Sequence, residues 1–185
     1  KYDSKMKLDL FSIPIYVGNI DLDKIKLKKV KVKRQWLSGT ESSHDCYNEI
    51  SEECSKYILN TITTLLNYDI QRPYYLTLAA IWQNNYINND YQERHAHPGS
   101  DFSFIIYKKV KQSHTVFFNP AMQLIESYYK QVHIVKNVLI DSLFKVECRE
   151  GQIVVFPSFL EHMVLKNNNS ITISGNVNIK ESTTI

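Results

Sequence analysis

Two histidines two residues apart, in Tyr91-Gln92-Glu93-Arg94-His95-Ala96-His97-Pro98-Gly99-Ser100-Asp101, are the residues of this chain best suited to chemistry. In a strand, side chains at i and i+2 share a face, so these imidazoles would start from Cα atoms roughly 6.6 Å apart, close enough to grip one metal ion. Pro98-Gly99 then ends the strand. Further on, Gly151-Gln152-Ile153-Val154-Val155-Phe156-Pro157-Ser158-Phe159-Leu160-Glu161-His162 is an apolar strand running into a turn and a third histidine. Two ligands from one strand and one from a distant strand is an arrangement that a small barrel supplies readily.

The elements that must position these groups follow from periodicity. Ile50, Cys54, Ile58, Ile62 and Leu65/Leu66 recur every three or four residues, which predicts an amphipathic helix, with caps offered by Ser42-Ser43-His44-Asp45. Leu8 to Val17 is apolar and broken by a proline, as in an edge segment, and Lys24 to Val32 alternates like a strand with one wet face, with a short helix as the alternative. After Pro73 the pattern changes to short strands: Tyr74 to Trp82, Tyr91 to His97, Phe102 to Val110, Thr115 to Phe118, Leu143 to Cys148, Gln152 to Phe156, His162 to Leu165 and Ile171 to Val177. Turns are expected at Asn84 to Asp90, Lys111 to Ser113, Asn119-Pro120, Glu150-Gly151 and Asn167 to Asn169, and Met122 to Tyr129 reads as a helical insertion or a loop. The expected fold is mainly β (α+β), a double-stranded β-helix or cupin-like jelly roll with an N-terminal helix packed on the sheet. One domain over 1–185 is expected, with 1–70 as support and 74–180 as the barrel core.

Composition excludes several classes. The 185 residues, 43% hydrophobic and 22% charged, suit an ordinary globular domain that needs no disulfide or metal staple. A net charge of +3, with its lysines gathered mainly between Lys24 and Arg34, argues against a nucleic-acid partner despite the twelve tyrosines. No stretch is long and apolar enough for a membrane span, and the first residues carry no apolar signal core. Cys46, Cys54 and Cys148 are odd in number and irregularly spaced, which fits the reducing cytoplasm. His44, His114 and His133 read as exposed or structural, and Trp82, which with Asn84 could line a pocket, reads first as core.

Beyond the histidine phrases, Trp82 with Asn84, the run Ser103-Phe104-Ile105-Ile106-Tyr107, the step Phe117-Phe118-Asn119-Pro120, the closing Ile171-Thr172-Ile173-Ser174-Gly175-Asn176 and the opening Leu10-Phe11-Ser12-Ile13-Pro14 follow one another in a characteristic order. In these phrases the chain resembles the 2-oxoglutarate and Fe(II)-dependent oxygenases of bacteria and tailed phages, distant relatives of prolyl 4-hydroxylase. The lysine and asparagine bias suits a viral source, in which case the compartment is the host cytoplasm. The resemblance implies Fe(II) and 2-oxoglutarate as cofactors, O₂ as co-reactant, and hydroxylation of a substrate that the sequence does not encode. Exposed sheet edges would also suit a homodimer.

The resemblance further implies site roles, with two departures. Such enzymes hold iron by two histidines and a carboxylate, the carboxylate two residues after the first histidine. Here His97 stands in that place. One reading is a three-histidine catalytic and metal site of His95, His97 and His162, a donor set also found in cupins; the other keeps a carboxylate, from Asp101 or from Glu93. The second departure is at the cosubstrate anchor, where the resemblance places an arginine just before the Ile171-Thr172-Ile173-Ser174 strand and this chain has Ser170. Lys108, Lys166 or Lys180 would have to supply a cation, with Tyr107, Thr172, Ser174 and Asn176 adding hydrogen bonds. Two other classes stay open: a jelly-roll binding or structural module, and a cupin-like metalloenzyme that uses the three histidines without 2-oxoglutarate.

Overall fold

The computed structural model of the chain describes residues 12–45, 48–70, 73–110, 114–123, 127 and 142–182. Five short strands come first: β1 (Tyr16–Asn19), β2 (Leu27–Lys28), β3 (Lys33–Arg34), β4 (Glu41–Ser42) and β5 (Glu49–Ile50), with a single 3-10 turn at Leu22–Lys24. The helix α1 (Glu52–Leu66) follows. Then come β6 (Tyr74–Tyr86), β7 (Asp90–His95), β8 (Phe102–Lys109), β9 (His114–Phe118), β10 (Leu143–Glu147), β11 (Gln152–Pro157), β12 (His162–Asn167) and β13 (Ser170–Glu181).

From β6 onward the chain alternates between two antiparallel sheets, except that β9 and β10 both fall in the smaller one. The larger runs β1-β11-β8-β13-β6-β4-β3 and the smaller β10-β9-β12-β7. This interleaving is the double-stranded β-helix, so the expected jelly roll is the fold that forms. Two cores result. One lies between the outer face of the large sheet and α1, where Cys54, Ile58, Ile62 and Leu66 meet Phe104, Ile106, Ile153, Val155 and Ile173. The other lies between the sheets, built from Ile105, Tyr107, Phe117, Val146, Val154, Phe156 and Leu160. Every second residue of β8 and β11 thus serves a different core, which is why these strands are apolar on both faces rather than alternating.

Where sequence and structure differ, the causes are local. The cap of α1 is Ser51, whose hydroxyl accepts from Cys54 N at 3.2 Å; the run at Ser42-Ser43 is instead spent on β4, which pairs with β6. Replacing Ser51 by alanine is expected to lower stability by about 1 kcal/mol, read by chemical denaturation, because one buried-end amide loses its acceptor. A cost near zero would mean that water replaces the cap. Lys24 to Val32 forms the end of the 3-10 turn and β2 rather than one strand. The stretch Asn84 to Asp90 is not all turn. β6 continues to Tyr86, and the reversal is made by Asn88 and Asn89, both at positive φ (60° and 63°), which asparagine tolerates. Met122 to Tyr129 and Leu8 to Val17 fall largely or partly outside the described residues, as do Cys46 and His133.

Candidate metal centre

His95 is the last residue of β7 and His162 the first of β12, and they are direct cross-strand partners. Their ring centroids lie 4.3 Å apart. His97 lies past the end of β7, so strand alternation does not place it. Its backbone N–H donates to Ser158 O at 2.9 Å, and Ser158 is in turn held by its N–H to Asp101 O and by its hydroxyl against Ser103 Oγ. That tether brings the His97 ring to centroid distances of 5.1 Å from His95 and 5.2 Å from His162. One ligand atom from each of the three rings falls within 4.8 Å of the others, an arrangement that could hold a metal ion.

Two of the three rings are oriented by the backbone. The Nδ1 of His95 lies 2.6 Å from Glu93 O, and that of His162 3.0 Å from Leu160 O. A carbonyl can only accept, so each Nδ1 carries the proton and each Nε2 keeps its lone pair for the cluster. Burial disfavours the charged form of all three. It lowers the pKa of His95, and with neighbouring imidazoles it pushes His97 down to about 4 and His162 to about 3. The rings are therefore neutral near pH 7, the state in which imidazole binds a metal. Phe156 and Phe117 pack on His162 at 4.7 and 5.7 Å, while Trp36 flanks His95 at 4.8 Å and Trp82 flanks His97 at 5.5 Å. This donor set fits a divalent transition ion such as Fe(II).

The carboxylate candidates are turned elsewhere. Simple alternation would put Glu93 beside His95, but β7 carries bulges against β12, with Val164 opposite Gln92. The irregularity sends Gln92 inward and Glu93 aside, where its Oε1 accepts from Leu37 N at 2.6 Å while its Oε2 is buried without a hydrogen-bond partner. Asp101 is exposed, and its Oδ2 accepts from Ile179 N at 2.8 Å. Neither belongs to the histidine cluster among the described residues.

The rings open on a cavity of about 190 Å³, lined among others by Trp36, His44, Trp82, Asn84, Gln92 and Ser174. Trp82 is thus a wall of the site as well as a core residue. Its neighbour His44, at a ring distance of 4.7 Å, is read from the sequence as exposed or structural and stands instead at the cavity. Trp36, in the hairpin between β3 and β4, carried no signal at all. Of the cosubstrate candidates, Ser174 lines the cavity. Thr172 is buried one alternation deeper on β13, across from Asn84. Tyr107 is fully buried with its hydroxyl 2.7 Å from Thr115 Oγ1, and Asn176 accepts from Ser103 Oγ at 3.0 Å, which steadies the loop bearing His97. The lysines are not there: Lys108, Lys166 and Lys180 are all exposed. Lys166 would point inward by alternation from His162 and Val164, but the bulge in β12 turns Asn167 in and Lys166 out.

Three histidines at the mouth of a double-stranded β-helix define a jelly-roll protein with a cluster suited to a metal ion. The family described as "Putative 2OG-Fe(II) oxygenase" matches residues 80–176, just over half of the chain, and the chain belongs to that family. It is an oxygenase of the kind that uses Fe(II), 2-oxoglutarate and O₂. Among solved structures it is similar to the non-heme alpha-ketoglutarate-dependent epimerase SnoN of nogalamycin biosynthesis, with 13% identity, 85% of this chain and 72% of that chain covered, and a TM-score of 0.55. It is also similar to the viral collagen prolyl hydroxylase of Paramecium Bursaria Chlorella virus-1 (12% identity, 78% and 79% covered, TM-score 0.49). The prolyl-4-hydroxylase of Pseudomonas putida matches at 15% identity over 76% of this chain and 69% of that one, with a TM-score of 0.45. No curated protein matches the sequence. Among the described residues no helix is long and apolar enough to cross a membrane.

Proposed function

We propose that His95, His97 and His162 hold the Fe(II) of this oxygenase, with no carboxylate ligand, and that the chain hydroxylates a substrate bound in the cavity beside Trp36, His44 and Trp82. The observation that carries the ligand assignment is the convergence of the three ring nitrogens while Glu93 and Asp101 are engaged by backbone amides. When bound, the iron and 2-oxoglutarate supply an oxidant: one atom of O₂ goes to succinate as CO₂ is lost, and the other goes into a C–H bond of the substrate. The chain's own residues do the rest. Glu93 O and Leu160 O fix the tautomers of His95 and His162, the Ser158 carbonyl sets His97, and Phe117, Phe156 and Trp82 keep water from the back of the site. Cys54 and Cys148 are free thiols, which supports the cytoplasmic setting expected from the sequence.

The test is an anaerobic titration of the purified protein with Fe(II), with and without 2-oxoglutarate. A weak visible absorption band that needs both is the expected result. Iron uptake without any effect of 2-oxoglutarate would favour a cupin-like metalloenzyme, and no iron uptake would leave a binding module.

A further inference from the structure

The ring of Trp36 lies on His95 at a centroid distance of 4.8 Å and forms one wall of the metal cavity. The chain holds it there at a cost. The backbone of Trp36 is left-handed (φ 65°), a conformation that a bulky side chain rarely adopts. Its indole Nε1 is buried without a hydrogen-bond partner, and so is Glu93 Oε2. Buried polar groups left alone are unfavourable, and here one is a donor and the other an acceptor. The strands on either side of Trp36, β3 and β4, are only two residues each, and the adjoining Leu37 is 90% exposed.

The two orphaned groups belong to one joint. Leu37 N, the next amide after Trp36, donates to Glu93 Oε1 at 2.6 Å, so the second oxygen of that carboxylate is within reach of a side chain as long as tryptophan's. Glu93 does not line the cavity, and an indole that turns to it leaves the space over His95. That space is small as it stands. At about 190 Å³ it lies below the roughly 300–1,000 Å³ usual for ligand sites, and it must take a cosubstrate as well as a substrate.

We infer that Trp36 determines access to this site: its indole exchanges between the position on His95 and one in which its N–H donates to Glu93 Oε2, and the cavity admits ligand in the second. The inference rests on the metal reading above for what enters, and not for the movement itself. It gives the Glu93 carboxylate, which holds no metal in the three-histidine reading, a task of its own. Oε1 keeps the hairpin fastened while Oε2 receives the indole.

The experiment labels the protein with 5-fluorotryptophan. The chain has two tryptophans, so fluorine NMR reports each separately, and the signal lost in Trp36→Phe is that of Trp36. Trp36 is expected to give two signals, or one broadened by exchange, while Trp82, 4% exposed, gives one sharp line. Glu93→Gln leaves an oxygen for Leu37 N and puts an NH₂ group where Oε2 stood. It is expected to reduce the second Trp36 position at least about tenfold, as loss of a hydrogen bond to a charged acceptor should. Stopped-flow mixing of the Co(II)-loaded protein with 2-oxoglutarate, followed by the cobalt absorption, then separates a gate from mere support of His95. In Glu93→Gln association and dissociation are both expected to slow by a similar factor with the dissociation constant unchanged, because a change confined to access does not favour either bound or free ligand. A single sharp Trp36 signal in the parent, a Glu93→Gln spectrum like the parent's, or a shifted dissociation constant overturns the inference. Should Glu93→Gln fail to fold, Trp36→Phe, which keeps a ring but has no N–H, is expected to show the same equal slowing, and parental rates in it are the overturning result. A parent protein that takes up no cobalt overturns the metal reading, while the Trp36 signals still decide the gate.

Discussion

His95→Ala and His162→Ala are each expected to lower metal affinity by at least about a hundredfold, since loss of even an outer hydrogen-bond partner of a metal ligand commonly costs ten- to a hundredfold. These two rings are the pair that the fold fixes most tightly. They face each other across β7 and β12, each with its Nδ1 turned to a carbonyl, so the protein has invested two backbone acceptors in presenting Nε2. Removing one leaves two donors, too few for a firm hold. The check is competition of Fe(II) or Zn(II) against a chromophoric chelator, with circular dichroism to show that the sheets persist. Parent-like affinity in His162→Ala would mean that the metal sits elsewhere and that this ring, 2% exposed, serves only to pack against Phe117 and Phe156.

The second large effect concerns stability. Gly175→Ala is expected to destabilise the barrel by about 3 kcal/mol, the upper part of the usual range for overpacking. Gly175 lies in the middle of β13, paired with Ile81 on one side and Phe104 on the other. A Cβ there would lie 2.6 Å from Ala80 O and 2.6 Å from Cε1 at the edge of the Phe104 ring. The ring can swing only into a core that already holds Ile106 and Ile173, and the carbonyl belongs to the central β6–β13 ladder. At about 2–4 °C per kcal/mol for a domain of this size, the melting temperature should fall by roughly 6–12 °C. A fall below about 2 °C would show that β6 and β13 can separate locally at the register shift between Asn176 and Val177.

Much of this was legible in the sequence because periodicity reports burial directly. The eight barrel strands were found within a few residues, since each alternates or runs apolar between turn residues, and α1 was plain from Cys54, Ile58, Ile62 and Leu66. The histidine cluster was legible too, though for a partly different reason than the one that builds it: His97 is placed by Ser158 and not by its strand. What could not be read was every consequence of irregularity. Bulges in β7 and β12 exchange inward for outward, so Glu93 and Lys166, which a strict period of two points at the site, are turned away, while Gln92 and Asn167 are turned in. A bulge leaves no fixed signature in a single sequence. Nor could sequence spacing announce Trp36 and His44, which reach the cavity from short segments ahead of α1.

The hairpin that carries Trp36 has a further meaning. It is fastened to β7 through Leu37 N to Glu93 and through the Ser38 and Thr40 hydroxyls to Tyr91 O, and Leu37 at its tip is almost wholly exposed. The groups that would manage iron and 2-oxoglutarate are all on the barrel, whereas one wall of the space left for substrate hangs on this clip. The two halves of the site are therefore joined: an exchange at Trp36 or Leu37 would redraw the substrate wall and reach the metal ligands as well, because Trp36 flanks His95 and Leu37 N holds Glu93. A fold joined in this way makes any change of substrate wall a change in the setting of its chemistry.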